Sequence, residues 1–177
     1  ETAKENLSFV FKISEKLGLN KSKLIKTIKK FKGLKYRQQI IFQNPNLIII
    51  NDSKSTSFSA THGILKLDSN IFWLLGGIPK KGDKFKLPQK YFYRIKAFVY
   101  GKKFKFFNQV LKNKIYFENF YSLKEAFKRI FFLIKKDKFK HKTILFSPCA
   151  ASFDSFKNFE DRGLYFNKLV SKHLNGK

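Results

Sequence analysis

From Gln38 onward, short apolar runs rich in β-branched and aromatic residues alternate with stretches whose apolar residues recur at helical spacing. Strands interleaved with helices form parallel βαβ units, with helices covering both faces of one sheet. QIIFQ and NLIII, separated by Asn44-Pro45-Asn46, read as a hairpin and add one antiparallel pair at the start. The pattern then predicts a helix over Ser55 to Leu67, strand IFWLL, an irregular stretch through Pro79 and Pro88, and strand IKAFVY. A helix over Lys102 to Leu111, strand KIYFE, a helix over Ser122 to Lys135, strand TILF and a closing helix over Phe159 to Leu174 complete it. The expected fold class is α/β with a mostly parallel sheet.

Two helices precede this pattern. Leu7, Val10, Phe11, Ile13 and Leu17 lie at helical spacing within Lys4 to Leu17, and Gly18 stops them. Asn20 is placed to cap a second helix over Lys21 to Phe31, with Gly33 at its end. They resemble the tail of a preceding domain. With no Met anywhere in its 177 residues, the chain reads as a piece of something longer.

In an open α/β sheet, ligands bind in the crevice beyond the carboxyl ends of the strands. Three polar clusters follow strand-like runs here: Asn51-Asp52-Ser53-Lys54 after LIII, Gly76-Gly77 with Lys80 and Lys81 after FWLL, and SPCAASFDSFKNFEDRG after TILF. Ser53, Ser55, Thr56 and Ser57 crowd hydroxyls at a predicted helix start, a setting that favours an anion. Asp52 there reads equally as a helix cap and Lys54 as a solvent residue. Gly77-Ile-Pro-Lys-Lys-Gly82 has P-loop spacing up to its second glycine, but Asp83 stands where the Lys must be, so it is not a P-loop. Gly76-Gly77 reads first as a close chain reversal and second as a ligand cradle. No His lies near Ser152 to activate it, so binding suits it better than nucleophilic attack. Cys149 reads as a small buried residue.

The net charge of +26 alone points to nucleic acid or an anionic surface. Only Arg37, Arg94, Arg129 and Arg162 among 38 basic residues are arginines, and Lys is spread along nearly the whole chain. That bias fits an AT-rich coding sequence and a solvated lysine surface. A basic α/β domain binding nucleic acid or another polyanion is the alternative reading, with no helix-turn-helix, RRM or zinc signature behind it. A single cysteine excludes an internal disulfide, and the three histidines lack metal-ligand spacing. Without a long apolar run or signal-peptide pattern, the chain reads as cytoplasmic, with no membrane and no nucleic-acid partner.

GLKYR (33 to 37), NDSKSTS (51 to 57), LLGGIPKKGDKF (74 to 85) and SPCAASFDSFKNFEDRG (147 to 163) resemble, in that order, signatures of the Mur ligase family. Within the family, Asn-Asp-Ser-Lys is similar to the branch that adds D-glutamate. The resemblance implies that residues 1–37 end a central ATPase domain and that 38–177 form a Rossmann-like, three-layer carboxyl-terminal domain that binds the amino acid. The implied reaction uses ATP to phosphorylate the carboxylate of UDP-N-acetylmuramoyl-L-alanine. The amine of D-glutamate then attacks the acyl phosphate through a tetrahedral intermediate. ATP and Mg are the implied cofactors, with the metal ligands expected upstream, and the enzyme is expected to be a monomer. The segment alone is expected to be inactive.

Carried over by motif, Asn6 would face adenine, Arg37 would contact ATP phosphate and Asp52 its ribose. Lys54 would organise the site near the reacting groups and is the catalytic candidate. Thr56, Lys80, Ser152, Phe153 and Phe159 would form the D-glutamate pocket, Lys80 pairing with a carboxylate and Ser152 donating to one. The chain departs from the family pattern at Tyr36, where His is common, at Ser57, where Asn is usual, and at Thr2-Ala3, where His-Asn is expected. The last motif also orders its Cys and Ala differently. A catalytically silent interaction module, in contrast, would not require Asp52, Lys54, Lys80 and Ser152 to meet.

Overall fold

The computed structural model describes residues 2–31, 33–136 and 140–175, and the chain divides into two compact units, Glu1–Gly33 and Leu34–Lys177. In the first, α1 (Thr2–Lys16) and α2 (Lys21–Lys30) are joined through Gly18 at φ +66°. The left-handed glycine lets the Leu19 amide return to the Ser14 carbonyl at 2.9 Å, satisfying an orphan acceptor of α1. Asn20 caps α2 by accepting from the Lys23 amide at 3.1 Å. The side chains of Thr2 and Ala3 lie outside the described residues.

The second unit is built on six strands: β1 (Gln39–Gln43), β2 (Leu47–Asn51), β3 (Asn70–Gly76), β5 (Ile95–Tyr100), β6 (Tyr116–Phe120) and β7 (Lys142–Phe146). Their spatial order is β1-β2-β7-β3-β5-β6, parallel throughout except for the β1–β2 pair. Both faces of the central strands are covered, which explains why IFWLL is apolar at every position rather than alternating. Ile71, Trp73 and Leu75 face one core together with α3 (Phe58–Thr61) and α4 (Phe104–Leu111). Phe72 and Leu74 face the other, against α5 (Leu123–Lys136) and α6 (Phe159–Asn175). This is the three-layer α/β domain that the strand and helix pattern predicts. Two more strands of two residues each, β4 (Ile78–Pro79) and β8 (Ala150–Ala151), pair antiparallel outside the main sheet.

The helix predicted over Ser55 to Leu67 is instead one turn of α-helix, α3, followed by a 3₁₀ turn at Ile64–Lys66. Serine hydroxyls compete with a helical backbone for hydrogen bonds. Here Ser55 Oγ bonds Thr61 Oγ1 at 2.8 Å, and Ser57 stays extended at φ −148° to cap α3. A second 3₁₀ turn, Gln89–Arg94, precedes β5. Residues 34–37 pack with the second unit: the Tyr36 carbonyl accepts the Lys54 amide at 3.0 Å, and the Tyr36 ring covers Gly163.

Candidate functional site

β2, β7 and β3 are neighbours, and their carboxyl ends carry the three polar clusters. The chain leaves β2 and β3 toward the α3/α4 face, whereas it leaves β7 toward α6 on the opposite face. Such divergence opens a crevice at the strand ends, flanking β7 on both sides. The β4–β8 pair, with Ile78 opposite Ala151 and Pro79 opposite Ala150, ties the loop after β3 to the loop after β7. Gly76 and Gly77, at φ +152° and +121°, make this possible. A Cβ on Gly76 would strike the Tyr100 carbonyl, and one on Gly77 the Ala151 carbonyl. The glycines serve as a close chain reversal here.

The loop after β2 is held from several directions. Asn51 donates from Nδ2 to the Gly163 carbonyl at 2.9 Å and to Asn167 Oδ1 at 2.7 Å, while its Oδ1 accepts the Ser53 amide. Asp52 is buried, with Oδ1 accepting the Gln38 amide at 3.1 Å and Oδ2 accepting the Ser147 hydroxyl at 2.9 Å. Burial pushes its pKa up to about 6, against the lowering effects of the Ser147 and Gln38 bonds and the Arg37 charge. It is thus a tether between loops rather than a helix cap. The Lys54 ammonium sits 3.8 Å from the centroid of the Phe159 ring, a cation–π contact. Phe159 opens α6, which Asn158 caps through the Asp161 amide at 2.7 Å.

Behind Asp52 runs a buried chain of hydroxyls. Ser147 Oγ meets Thr61 Oγ1 at 2.5 Å, and Thr61 Oγ1 also meets Ser55 Oγ and, at 3.0 Å, Cys149 Sγ. Burial pushes the Cys149 thiol far up, so it is inert as a nucleophile, as its sequence setting suggests. The start of α3 does not form the anion site expected there. The helix is a single turn, and the Phe58 amide already donates to Asp83 Oδ2 at 2.8 Å.

Arg162 lies at the centre of the three loops, although spacing alone assigned it no role. Its guanidinium is 1% exposed, donates from Nη2 to the carbonyls of Ser53 at 2.7 Å and Ala150 at 3.0 Å, and from Nε to Ser53 Oγ at 3.1 Å. Ser53 Oγ in turn donates a hydrogen bond to the Phe159 carbonyl at 2.8 Å. The buried Tyr100 hydroxyl lies near the Arg162 guanidinium, which acts on it through charge and hydrogen bonding. Burial pushes the Tyr100 hydroxyl up to about 12, so it stays protonated.

The structure therefore brings together Asp52, Lys54 and Phe159, with Arg37 exposed and close enough to act on the Asp52 carboxylate through its charge. Ser152 is buried two residues beyond the Ala150 carbonyl, while Thr56 and Lys80 are exposed on the loops after β2 and β3. Phe153 is 72% exposed. Asn6 is exposed on α1, in the first unit. Ser147 and Arg162 are the site residues that sequence reasoning missed; their signal, a polar residue in an apolar setting, emerges only with the fold. Among the described residues, no group of three or more His, Cys, Asp or Glu is placed to hold a metal, and no helix is long and apolar enough to cross a membrane.

No family model matches the chain. Curated proteins do. It is 37% identical over 171 residues to a UDP-N-acetylmuramoylalanine–D-glutamate ligase of Rickettsia felis, covering 96% of this chain and 38% of that protein. It is 38% identical over 171 residues to the protein of the same name from Rickettsia prowazekii, with 96% and 38% covered. The Wolbachia pipientis wMel protein of that name is 35% identical over 166 residues, covering 93% of this chain and 32% of its own length. The chain thus spans little more than a third of the curated relatives it matches.

Proposed function

The chain belongs to the UDP-N-acetylmuramoylalanine–D-glutamate ligase family, matching a carboxyl-terminal portion of it, and from that premise we propose that it provides the amino-acid-binding part of an ATP-dependent ligase. The enzyme joins D-glutamate to UDP-N-acetylmuramoyl-L-alanine, making a peptidoglycan precursor in the cytoplasm as a monomer. Residues 1–37 end its ATPase domain and 38–177 form the domain that closes on ATP and D-glutamate. What carries this reading is the gathering of the NDSK, GGIPKK and SPCAAS loops at the carboxyl ends of three neighbouring strands.

A free carboxylate is a poor acyl donor, so ATP activates it as an acyl phosphate before the amine of D-glutamate attacks. This domain's share of that chemistry is positioning and charge complementarity. The exposed Arg37 guanidinium suits an ATP phosphate. Asp52 reaches the ribose through lone pairs left over from Gln38 and Ser147, since each carboxylate oxygen accepts two bonds. Asn6 faces adenine, and magnesium ligands come from upstream of the aligned stretch. Lys54, steadied on Phe159, supplies positive charge where the acyl phosphate and tetrahedral oxyanion develop. Lys80 pairs with a carboxylate of D-glutamate, Ser152 donates to one, and Thr56, Phe153 and Phe159 complete the pocket as the domains close.

The test is phosphate release by the full-length parent with ATP and UDP-N-acetylmuramoyl-L-alanine. Release that requires D-glutamate, fails with L-glutamate and is lost in Lys80→Ala supports the assignment. No D-glutamate-dependent release from a folded parent refutes it.

A further inference from the structure

We infer that Arg162 is a positioning residue that makes the two sides of the amino-acid pocket one rigid piece, an inference that rests on the ligase reading above. Its three donated bonds go to two loops that are far apart in sequence: Ser53 O and Oγ in the loop after β2, and Ala150 O at the start of β8. Ser53 immediately precedes Lys54, and Ala150 stands two residues before Ser152. Any shift of the guanidinium therefore moves the Lys54 and Ser152 backbones relative to one another. The third loop abuts it as well, because a Cβ on Gly77 would lie 3.2 Å from Nη1.

The chemistry of the group argues that geometry, rather than stability, is what it provides. A guanidinium presents its donors in a fixed plane, so two carbonyls and a hydroxyl are held at set angles; an ammonium offers one point of attachment. Its bonded partners are neutral oxygens, and Asp154 acts on it only through charge. A buried cation without a bonded carboxylate is an expensive way to fill a core, where apolar side chains of equal volume are commonly as stable or more so. The arrangement makes sense if the relative placement of the two loops matters more than the stability forgone.

Steady-state kinetics of the full-length parent test this, comparing wild type, Arg162→Lys and Ser53→Ala, with thermal unfolding recorded for each. Wild type comes first: if it shows no D-glutamate-dependent phosphate release, the ligase reading itself has failed. Given activity, Arg162→Lys is expected to raise KM for D-glutamate roughly tenfold or more, with KM for UDP-N-acetylmuramoyl-L-alanine within about twofold of wild type. Ser53→Ala, which removes only the Nε acceptor and the hydroxyl link to Phe159, is expected to raise KM for D-glutamate by about threefold. An unchanged KM for D-glutamate in folded Arg162→Lys, or equal shifts in both Michaelis constants, overturns the proposal. If Arg162→Lys does not fold, an unchanged KM for D-glutamate in Ser53→Ala overturns it instead.

Discussion

The Ser147 hydroxyl donates to Asp52 Oδ2 at 2.9 Å, joining the residues that follow two adjacent parallel strands, β7 and β2. Through Oδ1 the same carboxylate holds the Gln38 amide, and Tyr36 and Gln38 on either side of Arg37 have φ of +61° and +47°. Non-glycine residues enter that region at a cost, so Asp52 helps to hold the Arg37 turn in a conformation it would not adopt alone.

Burial gives Asp52 a testable pH signature. Its folded pKa, about 6, lies above the ordinary aspartate value of about 3.9, so between those pH values the folded chain binds more protons than the unfolded one. Stability from this group is greatest below about pH 4, falls as pH rises to about 6, and is level above, a loss of about 3 kcal/mol. Asp52→Asn keeps an acceptor for Gln38 and offers a donor to Ser147 without the charge. Urea unfolding at pH 4.5 and 7.5 should show the variant gaining on wild type by about 1–3 kcal/mol at the higher pH. A difference independent of pH would refute the assignment.

Gly163 lies inside α6, where Ala would ordinarily stabilise by about 1 kcal/mol. A Cβ there would instead meet the Tyr36 ring, 2.7 Å from Cγ. Overpacking of this kind costs about 1–3 kcal/mol, so Gly163→Ala should be neutral to destabilising by about 2 kcal/mol. In a Tyr36→Ala background the sign should reverse, with Ala stabilising by about 0.5–1 kcal/mol. Denaturation of the four proteins in the double-mutant cycle decides it; additive effects would show that the two residues do not meet.

Gly77→Ala combines a left-handed backbone with a Cβ driven into the Ala151 carbonyl. Neither can relax without breaking the β4–β8 pair. The expected loss exceeds about 2 kcal/mol in thermal or urea unfolding. Wild-type stability in this variant would mean that the two loops are not clipped as described.

Most of the fold was legible because its signals are local. QIIFQ, NLIII and TILF became strands, and the helices after Ser122 and from Phe159 formed within a residue or two of their expected ends. The segment from Ser55 failed for a local reason too, since its hydroxyls, which looked like a helix start, bond Thr61 and cap only one turn. The loops bearing Asp52, Lys80 and Ser152 could be placed at the carboxyl ends of the strands by the strand and helix pattern alone. Arg162 and Ser147 could not be assigned roles, because their partners stand 109 and 95 residues away and nothing at either position announces the pairing.

The β4–β8 pair also bears on how such a chain can evolve. Ile78 and Pro79 are matched residue for residue to Ala151 and Ala150, and an insertion in either loop would slide one register past the other. Length changes between Gly76 and Lys80 should therefore be inherited together with compensating changes between Ser147 and Ser152.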